Sequence, residues 1–259
     1  NWKGVYLIMK VSRLRLFFRS KIFQLLCLAV LVVVITLIAA PHAYNTANLQ
    51  QIMNNITLVG VFVCGVAPLL MCGGIDWAGS AFATCAMLVF ARLLELFPNL
   101  PWPLMLIPCI VVGGLLGGLN AFFIVKLNLM GFILTLAMAS VFNGVANWSI
   151  KGVQIQVTDK AFTGLSGTFL FEVIPVFFLF AVFLVIVYSI VLLKMSFGRS
   201  ILMCGGNQAA ARLAGLNPKK IRTILYINSG FVASLAGVIW AAQNKMAVHS
   251  AFIVTTPHM

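Results

Sequence analysis

Apolar positions in this chain fall in long unbroken blocks separated by short polar intervals. Ile22 to Ala40 is nineteen residues without a charge, and Pro41-His42 ends it. A helix needs about 20 apolar residues to cross the hydrocarbon core of a bilayer. The block therefore predicts a first membrane span. The same reading places a second span at Asn48–Cys72, with Pro68 near its end as a kink or break. Further spans follow at Ile75–Phe97, Leu104–Val125, Leu129–Ile150, Leu170–Leu193 and Ile221–Gln243. Pro98 to Pro103 reads as a turn and Lys151 to Thr168 as a polar connection. The predicted fold class is all-α: a polytopic transmembrane helical bundle of about seven spans, with no soluble domain.

The longest polar interval is Lys194 to Arg222, KMSFGRSILMCGGNQAAARLAGLNPKKIR. It holds Lys194, Arg199, Arg212, Lys219, Lys220 and Arg222 and no Asp or Glu. Within it, Asn207 to Leu216 reads as a short amphipathic helix. Gly205-Gly206 precedes it and Asn217-Pro218 stops it. Ala209, Ala210, Leu213 and Leu216 form an apolar face at i, i+1, i+4, i+7, with Arg212 beside it. Such a face suits docking into a groove of a soluble partner. Lying flat on anionic lipid is the other reading.

Composition agrees with the membrane class. Hydrophobic residues make up 62% of the 259, and charged residues 8%, where a soluble domain carries about 25%. The net charge of +13 does not point to nucleic acid, because the cations sit at the ends of apolar runs and not in a stripe. They also orient the chain. With the N-terminus in the cytoplasm, thirteen of the seventeen Lys and Arg fall on the cytoplasmic side, and only Arg92, Lys151, Lys160 and Lys245 fall outside. The segments are then a basic cytoplasmic stretch 1–21, spans one to six within 22–193, a cytoplasmic loop 194–220 holding the docking helix 207–216, a seventh span 221–243 and an outer tail 244–259. Cys27, Cys64, Cys72, Cys85, Cys109 and Cys204 show neither zinc nor disulfide spacing, and His42, His249 and His258 show no metal spacing. The chain opens on Asn1, with Met9 as a possible natural start, and stops soon after a span. It reads as a piece of a longer protein.

Several positions carry candidate chemistry. Gly113 to Gly118, GGLLGG, offers small-xxx-small pairs for close helix approach. Arg92 and Glu95 lie three apart on one helix face and suit a weak interfacial pair. Thr135, Ser140, Asn143, Asn147, Asn228, Ser229 and Ser234 add a polar seam to the later spans. With Asn120, the three asparagines suit a neutral hydroxylated solute or interhelical hydrogen bonds. Asp76, beside Gly73-Gly74, is the deep acid. It either lines a polar path with the broken helix around it or caps the third span.

These residues resemble the permease subunits of bacterial ABC importers of the ribose, xylose, arabinose and autoinducer type, within the branched-chain-amino-acid-like permease family. Gly73-Gly74-Ile75-Asp76-Trp77-Ala78-Gly79-Ser80 is similar to the family's G-G-I-D-L-S-V-G-S, one residue shorter. The deletion rotates the downstream residues by about 100° around a helix. GGLNAFFIVKLNLMGFILTLAMASVFNG, Gly117 to Gly144, is similar to a second family segment. Phe197-Gly198-Arg199 followed by Gly205 to Asn217 is similar to F-G-R and G-G-N-E-A-A-x-R-L-S-G-I-N, with Gln208 where the family is acidic. Ser229-Gly230 and Ala233 to Gly237 continue the likeness, which covers roughly residues 45 to 245. Family members commonly have about ten spans.

The resemblance implies a transport subunit of the inner membrane, for carbohydrate import, that is not itself an enzyme. It binds no cofactor, and ATP-Mg sits on a partner ATPase. This agrees with the lack of a G-x-x-x-x-G-K-[ST] phosphate loop in the sequence. Asn207, Gln208, Ala209, Ala210, Arg212, Leu213, Gly215 and Leu216 would form the coupling helix that docks on the cytoplasmic ABC ATPase subunit. Asp76, Asn120, Asn143, Asn147 and Asn228 would line the path. The implied partners are that ATPase, a periplasmic or lipid-anchored solute-binding protein, a second permease copy as homodimer or related heterodimer, and membrane lipid. Nucleic acid is not among them. Two other functions stay open at the level of sequence, an ion-coupled secondary transporter and an inactive truncated permease. The solute is not legible.

Overall fold

The computed structural model describes residues 21–40 and 44–252. The basic stretch before Lys21, Pro41-His42 and the end of the outer tail from 253 on lie outside the described residues. The chain divides into two units, residues 1–51 and 52–259.

The first unit contains α1, Lys21–Ala39. Its Thr36 hydroxyl donates back to the carbonyls of Val32 and Val33, both at 2.9 Å, so this polar group is satisfied inside an apolar helix. The helix α2, Thr46–Met71, begins in this unit and runs on into the second.

In the second unit α2 is followed by α3 (Gly79–Leu96), α4 (Trp102–Ala121, continued by a π-helical turn Phe122–Lys126) and α5 (Gly131–Ser149). A two-residue strand β1 (Ile155–Gln156), the short α6 (Lys160–Ser166) and a hairpin of β2 (Phe169–Leu170) and β3 (Ile174–Pro175) lead to α7, Val176–Lys194. Then come α8 (Ser196–Gly206), α9 (Gln208–Leu213), α10 (Pro218–Asn244) and β4 (Met246–Ala247). Among the described residues six helices, α2, α3, α4 with its π turn, α5, α7 and α10, are long and apolar enough to cross a membrane. In α1 the apolar stretch Phe23–Ala39 is shorter. The fold is all-α and polytopic, and the chain is a multi-pass membrane protein.

The helix α10 is the axis of this unit, with α4 on one side and α3 on another. A Cβ added at Gly113 would meet Ser234 Oγ and the carbonyl of Gly230; one at Gly117 would meet the carbonyl of Tyr226. Gly237 rests in the same way against the carbonyl of Ala83 on α3. Lipid tails are as apolar as leucine, so helices in a bilayer gain little from burying leucines on each other; close backbone approach supplies the van der Waals contact. The GGLLGG run does that here.

Four expectations from the apolar runs need correction. The second span does not break at Pro68: α2 continues to Met71 and stops at Gly73, whose φ is +75°. There the N–H of Gly74 reaches Leu69 O and that of Gly73 reaches Leu70 O, both at 2.9 Å, a Schellman closure that only a left-handed residue permits. The third span starts at Gly79, because Gly74 to Ala78 is non-helical. The sixth starts at Val176, because the apolar residues before it form the β2–β3 hairpin. The loop 194–220 holds a further helix, α8, ahead of α9, and the seventh span begins early, at Pro218.

On the side away from α8, β1 pairs antiparallel with β4, Ile155 opposite Ala247 and Gln156 opposite Met246. Asp159 caps α6 through the N–H of Phe162 at 2.8 Å, and the Phe162 ring packs 4.6 Å from Phe90 and 5.5 Å from Trp102. The connection between α5 and α7 is thereby pinned to the bundle.

Candidate functional site

The sequence Asn207-Gln208-Ala209-Ala210-Ala211-Arg212-Leu213 builds a helix of one and a half turns that is capped at both ends. Asn207 is extended (φ −154°, ψ 108°), and its Oδ1 takes the N–H groups of Ala209 and Ala210 at 2.9 and 3.0 Å. An Asn cap is worth about 1 kcal/mol, much for a helix too short to form alone. At the other end Gly215 has φ +80°, its N–H reaches Arg212 O, and the N–H of Leu216 reaches Ala211 O, each at 3.0 Å. Asn217 then caps α10 through the N–H of Lys220 at 3.1 Å, with Pro218 in its first turn.

Ala211 is the buried residue of α9, in a cluster with Ile201 and Cys204 of α8, Leu69, Cys72, and Leu225 and Tyr226 of α10. Burial pushes the Cys204 thiol pKa up, and a hydrogen bond with Cys72 opposes that, so it is an inert packing group. A Cβ at Gly205 would meet the carbonyl of Met71, which sets α8 directly on the end of α2.

The opposite side of α9 is free. Asn207, Gln208, Ala209, Ala210, Arg212, Leu213 and Gly215 are exposed, and Leu213 shows 92% of its surface. Two expectations for this helix need correction. The helix covers 208–213 and not 207–216. Leu216 is not on the free face, because the chain has turned through Gly215 and its side chain packs against the cluster below. The free apolar face is Ala209, Ala210 and Leu213, flanked by Arg212.

The break between α2 and α3 is held by the same α10. Asp76, 7% exposed, receives the N–H of Ala78 on Oδ1 at 3.0 Å and the hydroxyl of Ser229 on Oδ2 at 2.9 Å. It does not cap α3, whose N-cap residue is Ala78. The Tyr226 hydroxyl donates to the Ile75 carbonyl at 3.1 Å, and the Trp77 N–H donates to Thr135 Oγ1 at 3.2 Å. A backbone segment that has left the helix needs partners at membrane depth, and these three side chains supply them. Tyr226 is not singled out by the sequence pattern. Its signal there is a hydroxyl-bearing aromatic one turn before Ser229 in an apolar run.

The proposed path residues are scattered. Asn120 is fully buried with both side-chain polar atoms unpartnered, just before the π-helical turn. Asn228 accepts from the Tyr188 hydroxyl at 2.6 Å beside a cavity of 280 Å³. Asn143 is half-buried with Oδ1 unpartnered, and Asn147 is exposed. The partners of Asp76 are Ala78 and Ser229, and none of these asparagines. At the β1 end, a cavity of 690 Å³ is lined by Arg92, Glu95, Gln154, Gln156, Asp159 and Lys160. Arg92 Nη1 lies 2.6 Å from Glu95 Oε2, both exposed, as the i, i+3 spacing predicts. Among the described residues no three His, Cys, Asp or Glu gather as a metal site.

A family model described as branched-chain amino acid transport system / permease component matches residues 48–256. The chain is 28% identical over 214 residues to the L-arabinose transport system permease protein AraH of Escherichia coli (strain K12), a match that covers 80% of this chain and 62% of that protein. It is 26% identical over 227 residues to the ribose import permease protein RbsC of Haemophilus influenzae, covering 86% of this chain and 69% of that protein. Against the ribose import permease protein RbsC of Escherichia coli (strain K12) it is 27% identical over 244 residues, with 92% and 75% covered. The chain thus spans less than two thirds of the length of AraH. No solved structure matches it.

Proposed function

Because this chain belongs to the branched-chain amino acid transport system / permease component family, we propose that it is the membrane-spanning permease subunit of an ATP-driven importer in the bacterial inner membrane. It takes a monosaccharide or similar small hydroxylated solute, as the arabinose and ribose named for its relatives suggest. ATP is bound and hydrolysed by a separate cytoplasmic ATPase subunit. A solute-binding protein delivers the solute, and a second permease copy completes the path.

The observation that carries the reading is the free face of α9. A leucine 92% exposed on a doubly capped helix, with arginine beside it, is built to be covered by another protein. The helix leads within four residues into α10, and α10 holds the Asp76 break through Tyr226 and Ser229. Movement of α9 by an ATPase would therefore be transmitted to the break along one rigid element. In the proposed orientation the N-terminus and α9 are cytoplasmic, and the polar cavity lined by Arg92, Gln156 and Lys160 faces the binding protein. Asp76, Asn120, Asn143, Asn147 and Asn228 are the path candidates, with Asp76 at its moving part.

The test is capture of the tagged subunit from native membranes, followed by mass spectrometry. An ATPase subunit is expected with the unchanged chain and is expected to be lost with Leu213→Asp, which touches no buried group. Recovery of the ATPase from both forms would remove α9 as the docking element. Absence from both would leave the ion-coupled transporter as the better reading.

A further inference from the structure

Arg92 lines two cavities. One is the polar cavity of 690 Å³ beside β1, and the other is an apolar groove of 400 Å³ between α3, α4 and α5. Cys85 and Arg92 of α3, Leu116 of α4, and Phe142, Val145 and Ser149 of α5 mark the course of this groove. Cys85 and Arg92 are seven positions apart, as are Phe142 and Ser149, so α3 and α5 each give it two turns of one face. At 1.5 Å per residue the groove runs about 10 Å, two thirds of the roughly 15 Å of hydrocarbon in one leaflet.

The polar groups along the groove are satisfied within the chain. Cys85 Sγ–H donates to the Phe142 carbonyl at 3.6 Å, and the Ser149 hydroxyl donates to the Ala146 carbonyl at 2.7 Å. The floor therefore offers a hydroxylated solute nothing, and it suits a hydrocarbon chain. The mouth differs. Arg92 and Glu95, both half exposed and 2.6 Å apart, place one cation and one anion there. Ser149 also borders a second groove, lined by Trp148 and Lys151, and Trp148 is 81% exposed. Tryptophan at the end of a span marks the level of lipid headgroups. A comparable groove of 520 Å³ between α4 and α10, lined by Leu115, Leu119 and Phe231 among others, has no charged residue in its lining.

We propose that the groove between α3, α4 and α5 binds a single phospholipid from the surrounding leaflet. One acyl chain lies along α5 from Ser149 to Phe142, the phosphate meets the Arg92 guanidinium, and an amine on the head meets Glu95. The guanidinium matches a phosphate with a fork of N–H donors. A head that carries both signs keeps Arg92 and Glu95 partnered, whereas a purely anionic head is repelled by the Glu95 carboxylate. The acyl chain fills space beside α5, whose buried residues are Thr135, Phe142 and Ala146. The lipid thus completes the packing of α5 on α3 and α4.

The experiment is native mass spectrometry of the full chain, delipidated in detergent and titrated with phosphatidylethanolamine or phosphatidylglycerol of matched chains. A single phosphatidylethanolamine is expected to bind ahead of all others, and phosphatidylglycerol more weakly. Arg92→Gln is expected to weaken that first binding about tenfold, the loss of a charge-assisted pair. Glu95→Gln is expected to abolish the preference between the two lipids. Val145→Trp, at a position 54% exposed, fills the groove and is expected to remove the first binding. Leu115→Trp, on the uncharged groove, is expected to leave it unchanged. Should Val145→Trp fail to fold, Arg92→Gln and Glu95→Gln decide alone, since neither alters the groove floor. Absence of a first, tighter lipid overturns the proposal, as it would if another protein segment fills the groove. Equal binding of the two lipids by the unchanged chain overturns it, and so does unchanged binding in Arg92→Gln.

Discussion

Leu213 and Gly215 are two residues apart and do different work. Leu213 is 92% exposed, so its replacement tests the proposed partner contact with little effect on the fold. Gly215 sits at φ +80° with open space where a Cβ would go, so its replacement meets no clash, only backbone strain. A left-handed residue other than glycine costs about 1–2 kcal/mol, enough to loosen the cap of a six-residue helix. Gly215→Ala should therefore leave the membrane bundle intact, lower thermal stability little, and reduce ATPase capture and solute uptake together. Uptake unchanged in a stably expressed Gly215→Ala would show that α9 need not be held rigid. At Asp76 the argument turns on a partner. Ser229→Ala removes the hydroxyl on Oδ2 and leaves a buried carboxyl group short of a donor, at about 1–3 kcal/mol. The expected result is a lower detergent melting temperature and impaired uptake, with ATPase capture retained because α9 is untouched. Loss of capture in Ser229→Ala would place the break inside the docking unit.

At the scale of elements, the contact of α4 with α10 is the close one. Gly117 and Gly230 meet backbone, and Gly113 meets the Gly230 carbonyl as well as the Ser234 hydroxyl, so a side chain at any of the three is relieved only if the helices move apart. Gly113→Leu should destabilise by at least the usual 1–3 kcal/mol of overpacking, roughly. Gly118→Leu, with only Ile227 near its Cβ at 3.6 Å, should be far milder. Thermal unfolding in detergent checks the pair, and equal losses would mean the face is read wrongly. These glycines were legible in the sequence because GGLLGG has one packing use in a membrane helix. So were the caps, since Asn207 and Gly215 bracket α9 by rules of local geometry. The element ends were less legible. Hydropathy counts Phe169 to Pro175 as apolar and cannot see that it doubles back as a hairpin. It counts Ser196 to Gly206 as polar loop, although Ile201 and Cys204 bury one side of a helix there. The break at Asp76 was visible as Gly-Gly beside an acid, but its clamp was not, because Tyr226 lies 151 positions further along the chain from Ile75.

For the whole molecule, the side on which α9 lies decides the functional reading. Lys194, Arg199, Arg212, Lys219, Lys220 and Arg222 surround it without an acid, while Arg92, Glu95, Asp159 and Lys160 gather with mixed sign around the 690 Å³ cavity beside β1. Positive charge near span ends is retained on the cytoplasmic side, so the two groups should lie on opposite faces of the membrane. Lys219 and Lys160 are both exposed and can report on this directly. A membrane-impermeant thiol reagent applied to intact cells should label Lys160→Cys and spare Lys219→Cys. After inversion of the membranes the two should exchange. The native thiols interfere little, since Cys64, Cys72, Cys109 and Cys204 are buried, half-buried Cys85 lies within the membrane-crossing helix α3, and Cys27 lies within the apolar helix α1. Labelling of Lys219→Cys from outside would put α9 beyond the reach of any cytoplasmic ATPase. Its exposed leucine would then need a different partner, and the polar cavity by β1 would face the cytoplasm in its place.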